Sequence, residues 1–391
     1  MMETFSYALV TPYTVAKSRT GGVLARLLSQ VDLELAGAQI FAPDADLARK
    51  YADILRKQNT AVGSVTLLAD YVEQRFAPSE ERSHPTLLLL FKGENPCEKL
   101  ATICGHIYPD HIGEESLDRE TIRDTYADLI VAPNDPNKID YFEPAVITPR
   151  TQKEADEDLV LFSTFLKGKE NIINNMQYPD ASRIERTLVI IKPDNWQYAS
   201  SRPGNIIDMF TRTGLRIIGV KVHRFTLEQA LEFYGPVEAV LKNKLAPIFG
   251  KNAKELLEKE FSLSLSAETE KALIDSFGVE YARDQFTQIV GFMSGVKPGS
   301  GKQPHPVKCM IIIYEGVDAV KKIRDVLGPT DPLKAPGGTV RREFGSNVMV
   351  NTAHASDSVE SFNRESDVVR VNENQLADIV TEYLQQKITA I

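Results

Sequence analysis

The sequence predicts an α+β protein built from two unequal copies of one unit, each a four-stranded antiparallel sheet with helices. Three observations predict it. Residues 8–41 and 188–222 read alike: a short β-rich run closed by a proline (Pro12, Pro193), a glycine, an amphipathic helix, and a second β-rich run built on a glycine (Gly37, Gly219). Residues 86–105 and 308–328 match next, each a buried strand, a glycine turn (Gly93, Gly316) and a helix ended by glycine (Gly105, Gly328), the residue that best caps a helix C-terminus. Residues 120–132 then match 338–350, and both read as the fourth strand.

Taken in order, each copy reads β-α-β-α-β-α-β with extra helices. Four short strands with helices on one face predict a ferredoxin-like (βαββαβ) sandwich, present twice in tandem. The first copy spans 1–180, closed by a helix over 151–179, and 179–186 forms the linker. The second copy spans 184–391. It carries an insertion at about 237–281, read as two helices, and a Gly/Pro/Lys loop over 294–306.

The chain has 391 residues, enough for two or three domains. Charged residues make up 25% and hydrophobic ones 42%, a globular mix that excludes a fibrous or wholly disordered chain. The net charge of −9 gives no general attraction to nucleic acid, yet leaves room for a local cationic pocket around a phosphorylated ligand. Cys97, Cys104 and Cys309 have no metal-binding spacing, which fits a reducing, cytoplasmic setting. No basic-then-apolar leader and no apolar run of about 18 residues stands in the sequence, so neither signal peptide nor membrane span is expected.

The chemistry concentrates in 328–365. His354 follows a β-rich run and precedes a helix that Ser356 or Asp357 would cap. Arg324, Arg341, Arg342 and Lys192 lie in segments that sheet topology can bring together. Cations converging on a neutral imidazole suit phosphate handling, with histidine as nucleophile.

That segment resembles the nucleoside diphosphate kinases, whose signature is Asn-x-x-His-Gly-Ser-Asp-Ser. Here it stands as Asn351-Thr352-Ala353-His354-Ala355-Ser356-Asp357-Ser358, with Glu365 where the family has a further glutamate. Gly328-Pro329-Thr330-Asp331-Pro332 and Ala335-Pro336-Gly337 resemble its upstream turns. Val189-Ile190-Ile191-Lys192-Pro193-Asp194 resembles its first strand and lysine, and Phe233-Tyr234 its tyrosine. The likeness covers most of 186–391. It implies tandem nucleoside diphosphate kinase-like domains and a ping-pong transfer of the γ-phosphate through a phosphohistidine at His354.

The resemblance implies a role for each residue. His354 is the nucleophile, Glu365 fixes its tautomer, and Ser356 supports Glu365. Lys192 and Tyr234 contact the transferring phosphate. Arg324, Thr330 and Arg341, the last placed on a strand, hold the outer phosphates. Asn351 binds the sugar hydroxyl with Lys192. Val348 lines the base slot and is partly core. Mg²⁺ is held mainly through the nucleotide's phosphates, with no metal site made by protein residues alone. The partners are nucleoside di- and triphosphates, with a homo-oligomer or an internal pseudo-dimer as the assembly.

The sequence also departs from the family. Ala355 replaces the glycine after the nucleophile, a strain if that position needs positive φ. Gln285 stands at the family's base-stacking phenylalanine, with Phe286 beside it. The first copy has Thr11 in place of Lys192, Ala101 near Arg324 and Ile107 near Thr330. Only Arg123 retains its counterpart, Arg341. Its nucleophile segment, aligned to 131–136, has no histidine, so this copy reads as catalytically inactive. The alternatives to a kinase are a non-catalytic nucleotide-binding scaffold, and phosphotransfer from His354 to a protein or an unusual substrate.

Overall fold

The computed structural model describes residues 3–58, 63–79, 82–107, 121–303 and 307–389. The first half runs β1 (Thr4–Val10), α1 (Pro12–Ala16), α2 (Thr20–Gln30), β2 (Glu34–Phe41), α3 (Ala45–Gln58), α4 (Gly63–Arg75), β3 (Thr86–Gly93), α5 (Pro96–Cys104), α6 (Ile122–Tyr126), β4 (Asp128–Ala132), β5 (Asp135–Glu143), β6 (Val146–Ile147) and α7 (Gln152–Leu166). The second half runs β7 (Ile184–Ile191), α8 (Arg202–Thr211), β8 (Arg216–His223), α9 (Leu227–Phe261), α10 (Ala267–Leu273), a π-helical turn (Ile274–Gly278), α11 (Val279–Ser294), β9 (Cys309–Val317), α12 (Ala319–Leu327), α13 (Val340–Phe344), β10 (Ala353–Ala355), α14 (Val359–Val368) and α15 (Gln375–Thr389).

Two four-stranded sheets result, in the orders β2-β3-β1-β6 and β8-β9-β7-β10, with β4 and β5 forming a separate pair. The pairs β1–β3, β1–β6, β2–β3, β7–β9 and β7–β10 are antiparallel. The central strands TFSYALV and TLLLLFKG are almost wholly buried. Strands buried at successive positions are covered on both faces, which overturns the expectation of helices on one face. Tyr7 of β1 turns to α7, where its hydroxyl donates to Asp158 at 2.8 Å. Its neighbour Ser6 turns the other way, to Cys97 of α5 at 3.3 Å.

The fourth strands also lie elsewhere than expected. Residues 338–350 form α13 and a turn, and the edge strand is β10, further on. The run VRREF consists mainly of good helix formers. After it, Asn347 Oδ1 accepts the amides of Met349 and Val350 at 2.9 and 2.8 Å, which turns the chain. In the first half 120–132 likewise holds α6 and β4, and the edge strand of the main sheet is β6. The helix expected over 151–179 spans only Gln152–Leu166: a capping box of Thr151 and Glu154 starts it, and Gly168, at φ 74°, follows its end.

Contacts divide the chain into two compact units. One holds 1–222, 310–366 and 370–391, and so contains both sheets but for the strand ends His223 and Cys309; the other holds 223–309 and 367–369. Within the first unit, α15 packs into the core of the first half. Leu376, Ala377, Val380 and Tyr383 join Tyr7, Tyr51 and Phe162, and the Tyr383 ring meets Phe5 edge-on at 4.7 Å. In the same unit α2 crosses α8 at two glycines. A Cβ added at Gly21 would lie 2.5 Å from the Asp208 amide nitrogen, and one at Gly204 2.2 Å from that of Ala25, so only glycine permits this backbone contact.

The second unit is a helical hairpin. The insertion lengthens α9, a 35-residue helix running through Pro236 and Pro247, and a break after Phe261 separates it from α10, so two helices stand there as expected before the π turn and α11. Phe249 stacks on Tyr281 at 3.7 Å, and Gly278 meets the Ala246 backbone. All three cysteines are buried thiols. Among the described residues no helix is long and apolar enough to cross a membrane.

Candidate active site

The site is built where β10 meets β7, with Ala353 opposite Ile191, His354 opposite Ile190 and Ala355 opposite Val189. Just before β10, Thr352 takes a left-handed backbone conformation with φ 75°, unusual for a β-branched residue. Strain of this kind persists only where its surroundings over-determine it. Here the Thr352 carbonyl accepts the Lys192 amide at 3.0 Å and the Asn195 side-chain amide at 2.8 Å, and Arg202 donates to its hydroxyl at 3.2 Å. The kink aims the next residues, and His354 follows it by two. Ala355, in contrast, sits in β10 outside the positive-φ region, so the alanine carries none of the strain considered from sequence.

His354 is partly exposed, at 23% of its side chain, while Glu365 of α14 is buried at 5%. Nε2 of the imidazole lies 3.0 Å from Glu365 Oε2, and the Ser356 hydroxyl donates to that same oxygen at 2.7 Å. Ser356 is fixed in turn by its amide, which donates to the Leu188 carbonyl at 3.0 Å. A carboxylate accepting from Nε2–H selects the tautomer whose ring lone pair is on Nδ1.

Lys192, at the end of β7, is 8% exposed and donates to Asn351 Oδ1 at 2.6 Å. Burial, with the neighbouring Arg341 charge, brings its ammonium down to about 8, against a smaller opposing pull from Asp194. Asn351 ties three segments together: its amide nitrogen donates to the carbonyls of Val348 and Thr330, at 2.8 and 3.2 Å. Thr330 and Arg324 are both exposed. Arg324, together with the Ser361 hydroxyl and His354, holds the Asp357 carboxyl below the usual range, the hydroxyl contributing most.

Three expectations change. Arg341 is on the short helix α13, not a strand, and donates to the carbonyls of Gly328 and Ala353 at 3.0 and 3.1 Å, so it clamps the turn to the histidine strand. Val348 is 57% exposed and is not core. Phe286, on α11, is buried at 6%, which leaves its ring no open face for a base. Tyr234, on α9, is also buried, with Phe233 at 5.0 Å. Both belong to the helical-hairpin unit, whereas the other candidate residues lie in the unit of the sheets. Sequence reasoning passed over Asn195 and Arg202, which hold the Thr352 kink; the polar run directly after Lys192 was the available signal.

Comparison with known proteins bears on this arrangement. A family model described as nucleoside diphosphate kinase matches residues 185–247 and 261–374. The nucleoside diphosphate kinase of Halorhodospira halophila is 31% identical over 182 residues, 46% of this chain and 89% of that protein. The chain belongs to the nucleoside diphosphate kinase family. The enzyme of that name from Bdellovibrio bacteriovorus is 33% identical over the same shares. A solved NDP kinase from Pyrobaculum aerophilum aligns at 26% identity over 49% of this chain and all of its own, with a TM-score of 0.35.

Membership of the nucleoside diphosphate kinase family thus rests on the second half, which holds His354, Glu365, Lys192 and Asn351. The family match breaks between 247 and 261, inside α9, where this chain carries its added helical length.

Proposed function

We propose that the second half passes the γ-phosphoryl group from a nucleoside triphosphate to a nucleoside diphosphate by way of His354. The observation that carries this reading is the buried Glu365 carboxylate on Nε2 of a partly exposed histidine, beside a buried lysine. Nδ1 attacks the γ-phosphorus in line, the P–N bond forms as the P–O bond to the leaving diphosphate breaks, and the acceptor diphosphate reverses the step. Glu365 stabilises the positive charge that grows on the ring. Lys192, Arg324 and Thr330 offset charge on the phosphate oxygens, the main demand of phosphoryl transfer. Asn351 and Val348 face the sugar and base ends. Arg341 acts by holding the turn and the strand together.

A magnesium ion brought in with the nucleotide would offset charge on its phosphates. Among the described residues no group of three or more His, Cys, Asp or Glu side chains could hold a metal ion.

The two halves read best as copies of one fold. Their sheets share a strand order, and α2 and α8 cross at glycines that occupy matching places in the repeat. That crossing acts as an internal pseudo-dimer contact, with the first half inactive. Three buried free thiols fit a reducing cytoplasm.

The test is incubation with γ-labelled ATP. Acid-labile, base-stable label on the protein, absent from His354→Ala and removed by diphosphates, is the expected result. Label that survives in His354→Ala would sink this reading.

A further inference from the structure

A cleft of the sheet-bearing unit lies on the other face of the second sheet from His354. Tyr314 of β9 lies at its wall and pairs with Thr187 of β7, whereas His354 pairs with Ile190. Residues three apart on a strand point to opposite faces, so the cleft is separate from the histidine site. Its volume is about 640 Å³, within the range of small-molecule pockets.

We infer that this cleft is a second binding site for a nucleoside phosphate. Two arginines, Arg82 and Arg216, line it together with His84, and no carboxylate is among its described lining residues, a charge balance that suits an anion. Arg216 is held in place: it donates to the Gln177 carbonyl at 3.0 Å and lies over the Tyr178 ring at 4.8 Å. Val15, Leu215 and Ile217 add an apolar part to a wall that also holds Ser18, Thr20 and Ser83, a mixture that matches a flat ring system carrying a phosphate rather than a bare phosphate. Tyr314 supplies the specific polar group. Its hydroxyl is buried and has no hydrogen-bond partner among the described residues, a cost that a ligand donor or acceptor removes. The choice of a nucleotide over other ring-bearing anions rests on the kinase reading, which keeps nucleotides at hand.

The site is assembled from both halves. Val15 follows β1, Arg82 and His84 precede β3, Tyr178 is in the connection between halves, and Arg216 opens β8. Occupancy therefore couples the first half to the sheet that carries His354, and gives the inactive half a regulatory use.

Equilibrium dialysis of the full chain with labelled ADP tests this. Two ADP per chain are expected, falling to one in Arg216→Glu with kcat unchanged within about twofold. Tyr314→Phe should weaken the second class by about tenfold, the scale of one buried hydrogen bond. Photolabelling of the unaltered chain with an azido-ADP should mark peptides containing His84 or Tyr178. One ADP per chain, with photolabel confined to 328–365, overturns the inference. The kinase reading fails separately, by absence of phosphohistidine, whatever the ADP stoichiometry.

Discussion

At the ends of β1 and β7 the chain builds one small device twice, and only the second copy joins it to a lysine and a histidine. Ala145 and Thr352 both take left-handed conformations, with φ 61° and 75°. Each offers its carbonyl to the amide of the residue ending the neighbouring strand, Thr11 or Lys192, at 3.0 Å. Arg123 donates to Gly105 and, at 2.8 Å, to Val146, as Arg341 does to Gly328 and Ala353. The register then places Ile147 opposite Leu9 where His354 stands opposite Ile190. Glu365 comes eleven residues after His354, and Asp158 stands at the same remove from Ile147.

What differs is confined to charge and nucleophile. Where Lys192 would be, Thr11 donates to the buried Glu143 at 2.7 Å, and Tyr71 donates to the same carboxylate at 2.5 Å. Burial raises the Glu143 carboxyl above its ordinary range. A carboxyl in that place repels phosphate or, protonated, offers it no charge. The kinked peptide, the arginine clamp and the glycine turn survive in a half that has Ile147 at the place of His354, so they serve the fold. The lysine, histidine and Ser356 occur only where the phosphate reading needs them.

The sharpest way to break this comparison is to change the matched carboxylates. Glu365→Gln should lower kcat by about 10–100-fold, the usual cost of losing a carboxylate behind a working histidine. Asp158→Asn should leave kcat within about twofold. Asp158 accepts from Tyr7 at 2.8 Å and Gln58 at 3.0 Å, and burial pushes it up to about 7. Steady-state rates with a fixed triphosphate donor decide it. Equal losses would mean that the first half takes part in turnover.

The arginines come next. Each guanidinium satisfies two backbone carbonyls, and its removal leaves them short of partners at about 1–3 kcal/mol. Arg123→Met and Arg341→Met should therefore both lower the denaturant midpoint. Only Arg341→Met should also lower kcat/KM, because its carbonyl partner Ala353 adjoins the nucleophile. A loss of activity in Arg123→Met at unchanged stability would count against a purely structural clamp.

Much of this was legible in the sequence, and the failures have physical causes. His354 and Glu365 stand in one compact motif, where local spacing along β10 and α14 brings them together, and Lys192 stands in a second one, 189–194. The matched edge strand of the first half was misaligned, to 131–136 instead of 146–147, because β6 has only two residues and no periodicity to read. β4 and β5, long and β-rich, took its place in the alignment while forming a sheet of their own. The packing of α15 into the first half's core was equally hidden. It depends on Tyr383 meeting Phe5 and Asp156 far along the chain, which no local pattern announces. The boundary near 180 is visible as composition, yet both sheets share one compact unit.

The smallest expected effect is also the most specific, and it concerns the position where the halves differ most in charge. Lys192 titrates near 8 in the unliganded protein, below the ordinary lysine value of about 10.4. A bound phosphate favours the ammonium and raises that value again. Below pH 8 the lysine is charged before and after binding, and no proton moves. Above it the free protein has lost the proton that the complex holds, so binding takes one up. Nucleotide affinity should then fall by up to about tenfold per pH unit as pH climbs past 8. The stability of the free protein moves the other way in that window. The unfolded chain keeps its lysine proton to higher pH than the folded one, so the cost of the buried charge is relieved as pH rises from about 8 towards the unfolded value. Calorimetry at pH 9 in two buffers of different ionisation enthalpy reads the uptake directly, close to one proton per nucleotide. Lys192→Arg, charged throughout, should abolish it, while Thr11→Ser in the other half should leave it intact. Uptake that persists in Lys192→Arg would assign the proton to another group and remove the charge difference on which the contrast between the halves depends.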